Sequence, residues 1–94
     1  MSSAFNWDDD KNESNRRKHK IGFEAAERFD FNSAVTMTDS REDYGEHREA
    51  AIGFIGDVLY FLAFTRRGDA IRVISLRRAN KSERSLYVKE TYGR

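Results

Sequence analysis

Thr65-Arg66-Arg67-Gly68-Asp69-Ala70-Ile71-Arg72-Val73-Ile74-Ser75-Leu76-Arg77-Arg78 sets arginines along a stretch whose β-branched residues mark it as a strand. The segment just before it, Val58-Leu59-Tyr60-Phe61-Leu62-Ala63-Phe64, offers only apolar or aromatic side chains. Such a run reads as a central strand covered on both faces. Together the two read as a β-hairpin with its turn inside residues 66–69 and Thr65 opposite Ala70. That register sets Val58, Tyr60, Leu62, Phe64, Ile71, Val73, Ser75 and Arg77 on one face. Leu59, Phe61, Ala63, Thr65, Ala70, Arg72, Ile74 and Leu76 fall on the other. Arg72 and Arg77 then point to opposite faces and share a site only if a bulge intervenes or the site wraps the sheet edge.

On the N-terminal side, residues 48–55 form a strand joined to 58–64 at Gly56-Asp57, a strong hairpin dipeptide. Ala34-Val35-Thr36-Met37-Thr38 alternates and is a further strand, separated from residue 48 by a charged turn over 39–46 that includes Gly45. After the hairpin, Asn80 and Glu83 stand in capping-box positions, so a helix runs from there to about Tyr92. Near the start, Phe5-Asn6-Trp7 is short and extended. Asp8-Asp9-Asp10 followed by Arg16, Arg17, Lys18 and Lys20 gives a helix over 9–18, with acids at its positive end and bases at its negative end. Gly22 breaks it, and residues 23–29 form a second short helix with Ala25, Ala26 and Phe29 on one side. The fold class is α+β: a strand stub, two N-terminal helices, a four-stranded antiparallel sheet and a C-terminal helix.

The 94 residues suffice for one small domain with one core, with residues 1–4 as a loose end. The formal net charge of +1 conceals a strong polarity. Residues 65–94 carry nine Lys/Arg against three Asp/Glu, whereas residues 21–64 carry nine acids against three bases. A basic third built on strand and helix suits phosphate binding. With no Cys and only His19 and His47 for imidazole, a disulfide framework is excluded and no metal or cofactor is expected. No apolar run approaches the ~20 residues of a membrane span, so a soluble cytoplasmic protein is the expectation.

Each candidate residue has a functional and a structural reading. Trp7, Lys11, Asn15 and Lys18 fall within an arc of ~80° at helical spacing, with His19 at its edge. Trp7 could stack a base and the lysines meet phosphates, or Trp7 could staple the helix to the core. His19, beside Lys18 and Lys20, should favour its neutral form and suits a general base; a lone surface histidine is more often without a role. Glu46 and Glu83 are alternative bases, or simply solvating and capping carboxylates. Arg77 with Ser75 could hold a phosphate bidentately, while a salt bridge to an acid of the middle segment is the structural reading of a strand arginine.

Three segments in order bear a resemblance to the BrnT toxins. Phe5-x-Trp7-Asp8-x-x-Lys11-x-x-x-Asn15-x-x-Lys18-His19 with Phe23-Glu24-x-Ala26 resembles the family's N-terminal signature. Asp39-x-Arg41-x-x-Tyr44-Gly45-Glu46-x-Arg48 with Ile52-Gly53 resembles its central motif. Thr65-x-Arg67-Gly68-x-x-Ile71-Arg72-x-Ile74-Ser75-x-Arg77-x-Ala79, then Glu83-Arg84-x-x-Tyr87, resembles its last third. The chain departs at Leu76, commonly Ala in the family, where the added bulk could crowd its sheet face, and at the extra cation Arg66.

The resemblance implies a RelE-like fold and a toxin of a type II toxin–antitoxin module. It further implies metal-independent RNA cleavage that arrests translation. The expected partner is a BrnA-like ribbon-helix-helix antitoxin, through which alone the complex binds operator DNA. Matched functional positions fall on Trp7, Lys11, His19, Arg67, Arg72, Ser75 and Arg77. On this reading His19 is the base, with Glu46 as alternative, and Arg67 and Arg77 clamp phosphate. Lys11, Lys18, Arg72, Ser75 and Trp7 then bind RNA. The rival from another class is a non-catalytic RNA- or protein-binding module using the same basic surface. A self-sufficient DNA-binding regulator fits less well, because the basic residues lie mainly on strands.

Overall fold

The structure, a computed structural model, describes residues 4–39 and 47–93. Elements follow in the order β1 (Phe5–Asn6), α1 (Asp9–His19), a 3₁₀ helix (Phe23–Arg28), β2 (Val35–Thr38), β3 (Glu49–Ile55), β4 (Val58–Arg67), β5 (Ala70–Arg78) and α2 (Lys81–Tyr92). Among the described residues the strands form one sheet of five in the order β1-β5-β4-β3-β2. The four expected strands are present and antiparallel to one another. The expected four-stranded antiparallel sheet is nevertheless a five-stranded mixed one, because the aromatic stub is itself a strand. Phe5 and Asn6 pair parallel with Ile71 and Arg72, and the Ile71 N–H donates to the Ala4 carbonyl at 2.8 Å.

The second N-terminal helix is 3₁₀ rather than α. Its six residues are too few to repay the nucleation of an α-helix. It closes with i→i+3 bonds, as Ala25 N–H to the Gly22 carbonyl shows. It still buries Ala25 and Ala26, and Phe29 just beyond it, as the apolar pattern requires.

The single core expected from the chain length is instead two, one on each face of the sheet, because the sheet is covered from both sides. The first face joins Ala51, Leu62, Phe64, Val73 and Leu76 to Phe23, Ala25, Ala26 and Phe29. The second joins Ala50, Ile52, Phe61 and Ala63 to Ala79 and Tyr87 beneath α2. Central β4 is sealed on both sides over Phe61–Phe64, and burying each of its larger side chains contributes about 1.5–3 kcal/mol. The capping box of α2 is complete: the Asn80 side chain accepts from the Glu83 N–H, and the Glu83 side chain accepts from the Asn80 N–H.

The β4–β5 register departs from the simple hairpin. The turn is the two residues Gly68-Asp69, with Arg67 opposite Ala70 and Thr65 opposite Arg72. Gly68 adopts φ 59°, the left-handed conformation that favours glycine. Between Phe64↔Val73 and Ala63↔Ser75 the ladder shifts by one residue, leaving Ile74 as the extra member of a β-bulge. Everything after the bulge changes face. Leu76 therefore lies opposite Leu62 and is fully buried in the first core, so its bulk fills that core rather than crowding the second face. Ser75 and Arg77 move to the second face, where Arg72 and Thr65 already are.

Candidate functional site

Helix α1 runs beside the β5 edge, and its start and finish are set by local chemistry. The Asp8 carboxylate caps it by accepting from the Lys11 N–H at 3.0 Å. Lys20 ends it in the left-handed conformation, its N–H returning to the Arg16 carbonyl. Two asparagines on the inner side are buried. Asn12 accepts from the Phe23 N–H at 2.8 Å. Asn15 meets β5, with its Nδ2 donating to the Leu76 carbonyl at 2.7 Å and its Oδ1 accepting from the Leu76 N–H at 3.2 Å.

Between α1 and the open half of the second face lie two adjoining clefts that share Lys11 and Ile74 as walls. The larger, about 280 Å³, is lined by Asp8, Lys11, Arg48, Thr65, Arg67 and Arg72 around the bulge. The smaller, about 230 Å³, is lined by Lys11, Ser14, Asn15, Lys18, His19 and Ser75. The first holds four cations against one carboxylate, and that carboxylate is occupied in capping α1. The second holds two lysines and a histidine with no acid among its lining residues. Positive charge concentrated in a cleft attracts polyanions far more strongly than the same charge spread over a convex surface.

His19 is exposed, at the rim of the smaller cleft. Its pKa lies below the ordinary value near 6.5. Partial removal from water is the main cause, followed by the charges of Arg77 and Lys18. Sequence proximity points to Lys18 and Lys20 as the neighbours responsible; in the fold the strand cation Arg77 takes the place of Lys20. Neutral imidazole beside several cations can accept a proton near pH 7.

The residues expected at the site divide into groups. Lys11, Lys18, His19, Arg67, Arg72 and Ser75 line the clefts. Arg72 also donates to Asn6 Oδ1 at 3.0 Å, which ties it to β1. Arg77 lies beside this group, but its guanidinium is engaged by both oxygens of Glu83, at 2.8 and 2.9 Å, and rests over the Phe61 ring at 4.4 Å. The structural reading of a strand arginine thus applies to Arg77, with a partner on α2 rather than in the acidic middle segment. Glu83, the alternative base, is held by that ion pair and by the capping box.

Trp7 departs from the expected arc. It precedes the N-cap, so helical spacing does not extend to it, and its ring packs edge-on against Phe23 in the first core. Glu46 lies outside the described residues. Two cleft residues escape a reading of the sequence alone. Thr65 is buried with its hydroxyl donating to the His47 carbonyl at 2.7 Å, and Arg48 enters from the approach to β3. Only the pairing of Glu49 with Phe64, which aligns residue 48 beside residue 65, brings Arg48 to this face.

No helix among the described residues is long and apolar enough to cross a membrane. No curated protein matches the chain. A family model described as ribonuclease toxin, BrnT, of type II toxin-antitoxin system matches residues 7–83, a span that includes every wall of both clefts.

Proposed function

The chain belongs to the BrnT family of ribonuclease toxins of type II toxin–antitoxin systems, and on that basis we propose that the paired clefts are the RNA-cleaving centre. The observation that carries the assignment is the bulge at Ile74. It puts Arg72, Ser75 and Arg77 on one face, and that face looks onto the Lys11, Lys18 and His19 side of α1.

In this reading the RNA backbone lies along β5. Neutral His19 takes the proton of a ribose 2′-OH, whose oxygen attacks the adjacent phosphorus. A 2′,3′-cyclic phosphate forms as the bond to the 5′-oxygen breaks. Lys11, Lys18, Arg67 and Arg72 stabilise the charge that builds on the phosphorane, and such electrostatic stabilisation supplies most of the rate gain in a site of this kind. The departing 5′-oxygen receives its proton from one of the two lysine ammonium groups, since Asp8 is committed to the helix cap. Ser75 hydrogen-bonds a phosphate oxygen. Arg77 acts on the base through its charge, while Glu83 holds it in place. The whole reaction runs on side chains and requires no metal.

Cleavage of cytoplasmic RNA by this centre arrests translation. A ribbon-helix-helix antitoxin neutralises it, and the complex reaches operator DNA through that antitoxin. An acidic antitoxin segment would compete with RNA for the same cations.

His19→Gln is the test. It should lower the cleavage rate by about 10²-fold or more, the scale of a positioned base, while RNA affinity stays within about threefold, since a neutral side chain replaces a neutral one. The engagement of Arg77 by Glu83 favours the alternative of a non-catalytic RNA-binding module, because it removes one clamp from the centre. A wild-type chain that binds RNA and yields no product, with or without ribosomes, would establish that alternative.

A further inference from the structure

Asn15 lies where the two walls of the cleft meet, and it is 6% exposed. Strand β1 pairs with β5 only at Ile71 and Arg72, so among the described residues that edge of β5 has no strand neighbour beyond the bulge. Asn15 fills the gap. Its amide presents one acceptor and one donor to Leu76, as a neighbouring strand would, at 3.2 and 2.7 Å. The same Nδ2 also donates to the Ile21 carbonyl at 3.0 Å, which ties down the chain just after α1. Both donors and the acceptor of the side chain are thereby committed inside the protein. Leu76 follows Ser75 and precedes Arg77, the two residues that the bulge has turned into the site. Asn15 also lies one helical turn from Lys11 and from both Lys18 and His19.

We infer that Asn15 is the positioning residue of the cleft: it mimics a sixth strand at the β5 edge and so fixes the distance between the α1 wall and the bulged β5 wall. The inference rests on the reading of the cleft as the cleavage centre. It assigns Asn15 no contact with RNA, although Asn15 shares a helix face with residues that make such contacts. Asparagine is suited to the task because one planar amide can both accept and donate along a strand edge. Alanine removes every bond and leaves a buried N–H and C=O of Leu76 unsatisfied.

Asn12 supplies the control. It is on the same helix and similarly buried at 8%, but it serves the 3₁₀ helix through the Phe23 N–H and Glu24 rather than β5. Asn15→Ala and Asn12→Ala should both destabilise the fold, so stability alone does not separate them. Two readouts do, each taken on the folded fraction. A small misplacement of catalytic groups costs about 10²-fold in rate, so kcat should fall by that order in Asn15→Ala with KM changed little. In Asn12→Ala it should stay near wild type. By NMR titration, His19 should move up toward its ordinary value near 6.5 in Asn15→Ala only, as α1 draws away from β5 and the imidazole regains water and distance from Arg77. If Asn15→Ala does not fold, Asn15→Ser, whose hydroxyl keeps the position polar but is one bond too short to make the paired bonds to Leu76, takes its place with the same expectations.

Equal His19 titration in the Asn15 and Asn12 variants would overturn the inference and reduce Asn15 to a core residue. Absence of cleavage by the wild type would instead remove the ribonuclease assignment, with the titration still deciding whether Asn15 fixes the cleft.

Discussion

Replacing Arg77 with alanine separates the two things this arginine does. The guanidinium makes two charge-assisted bonds to Glu83, and the side chains are 24% and 16% exposed. That exposure places the pair between a solvent-screened surface bridge, worth about 0–1 kcal/mol, and a buried one, whose breakage costs about 3–5 kcal/mol. About 2 kcal/mol is the resulting figure, and loss of the stacking on Phe61 adds roughly 0.5 kcal/mol. For a domain of this size each kcal/mol shifts Tm by about 4–8 °C, so Arg77→Ala should melt about 10–20 °C lower. Glu83→Gln should be milder, because glutamine still completes the capping box with Asn80. Thermal and urea denaturation of the two single variants and the double variant should give a coupling of about 1–2 kcal/mol between the positions. His19 titration should respond in opposite senses, rising in Arg77→Ala and falling further in Glu83→Gln, where the arginine charge is no longer compensated. A coupling below about 0.5 kcal/mol with an unchanged melting point would show that the ion pair holds nothing in place, and Arg77 would again be available as a clamp on RNA.

Arg72→Ala should weaken RNA binding and reduce the salt dependence of the binding constant by about one contact, a slope change of about 0.7 on a log–log plot for a single strand; an unchanged slope would place Arg72 off the RNA path. The pH profile of kcat/KM should carry an acid limb set by His19. The base acts when neutral, so activity rises as pH increases through its lowered pKa, with the midpoint of the limb below the ordinary 6.5, and is lost as pH drops further. His19→Gln should abolish that limb, and a limb that persists in the variant would hand the base to another group. Gly53→Ala should cost about 1–3 kcal/mol in urea denaturation, since an added Cβ meets Phe29 Cζ at 2.7 Å and the Ala34 methyl at 3.0 Å inside the packed sheet; a neutral substitution would show that Phe29 yields without strain.

Features decided by neighbours in sequence are legible from it. The Asn80–Glu83 capping box, the Gly56-Asp57 turn and the apolar run of β4 each state their structure within a few residues. The bulge is different in kind. Nothing in Val73-Ile74-Ser75 demands an extra residue. The shift lets Leu76 reach the first core and offers its backbone to Asn15, 61 residues away in the chain. A simple alternation therefore assigns Ser75, Leu76 and Arg77 to the wrong faces. Helical spacing misplaces Trp7 for a related reason: helical geometry begins only after Asp8, and the residue before a cap takes its direction from the chain that enters the helix. The cluster of Lys11, Lys18 and His19 is legible as a helix face. Its apposition to Arg67, Arg72 and Ser75 needs the sheet.

Whether the paired clefts cut RNA with side chains alone is decided by incubating the purified chain with 5′-labelled RNA in EDTA and resolving the product ends, alongside His19→Gln and Arg72→Ala. The expected result is cleavage by the wild type, ends carrying a 2′,3′-cyclic phosphate, and products reduced about 10²-fold in each variant. Cleavage that requires an added divalent cation, or that survives both substitutions, would contradict a centre built from these side chains.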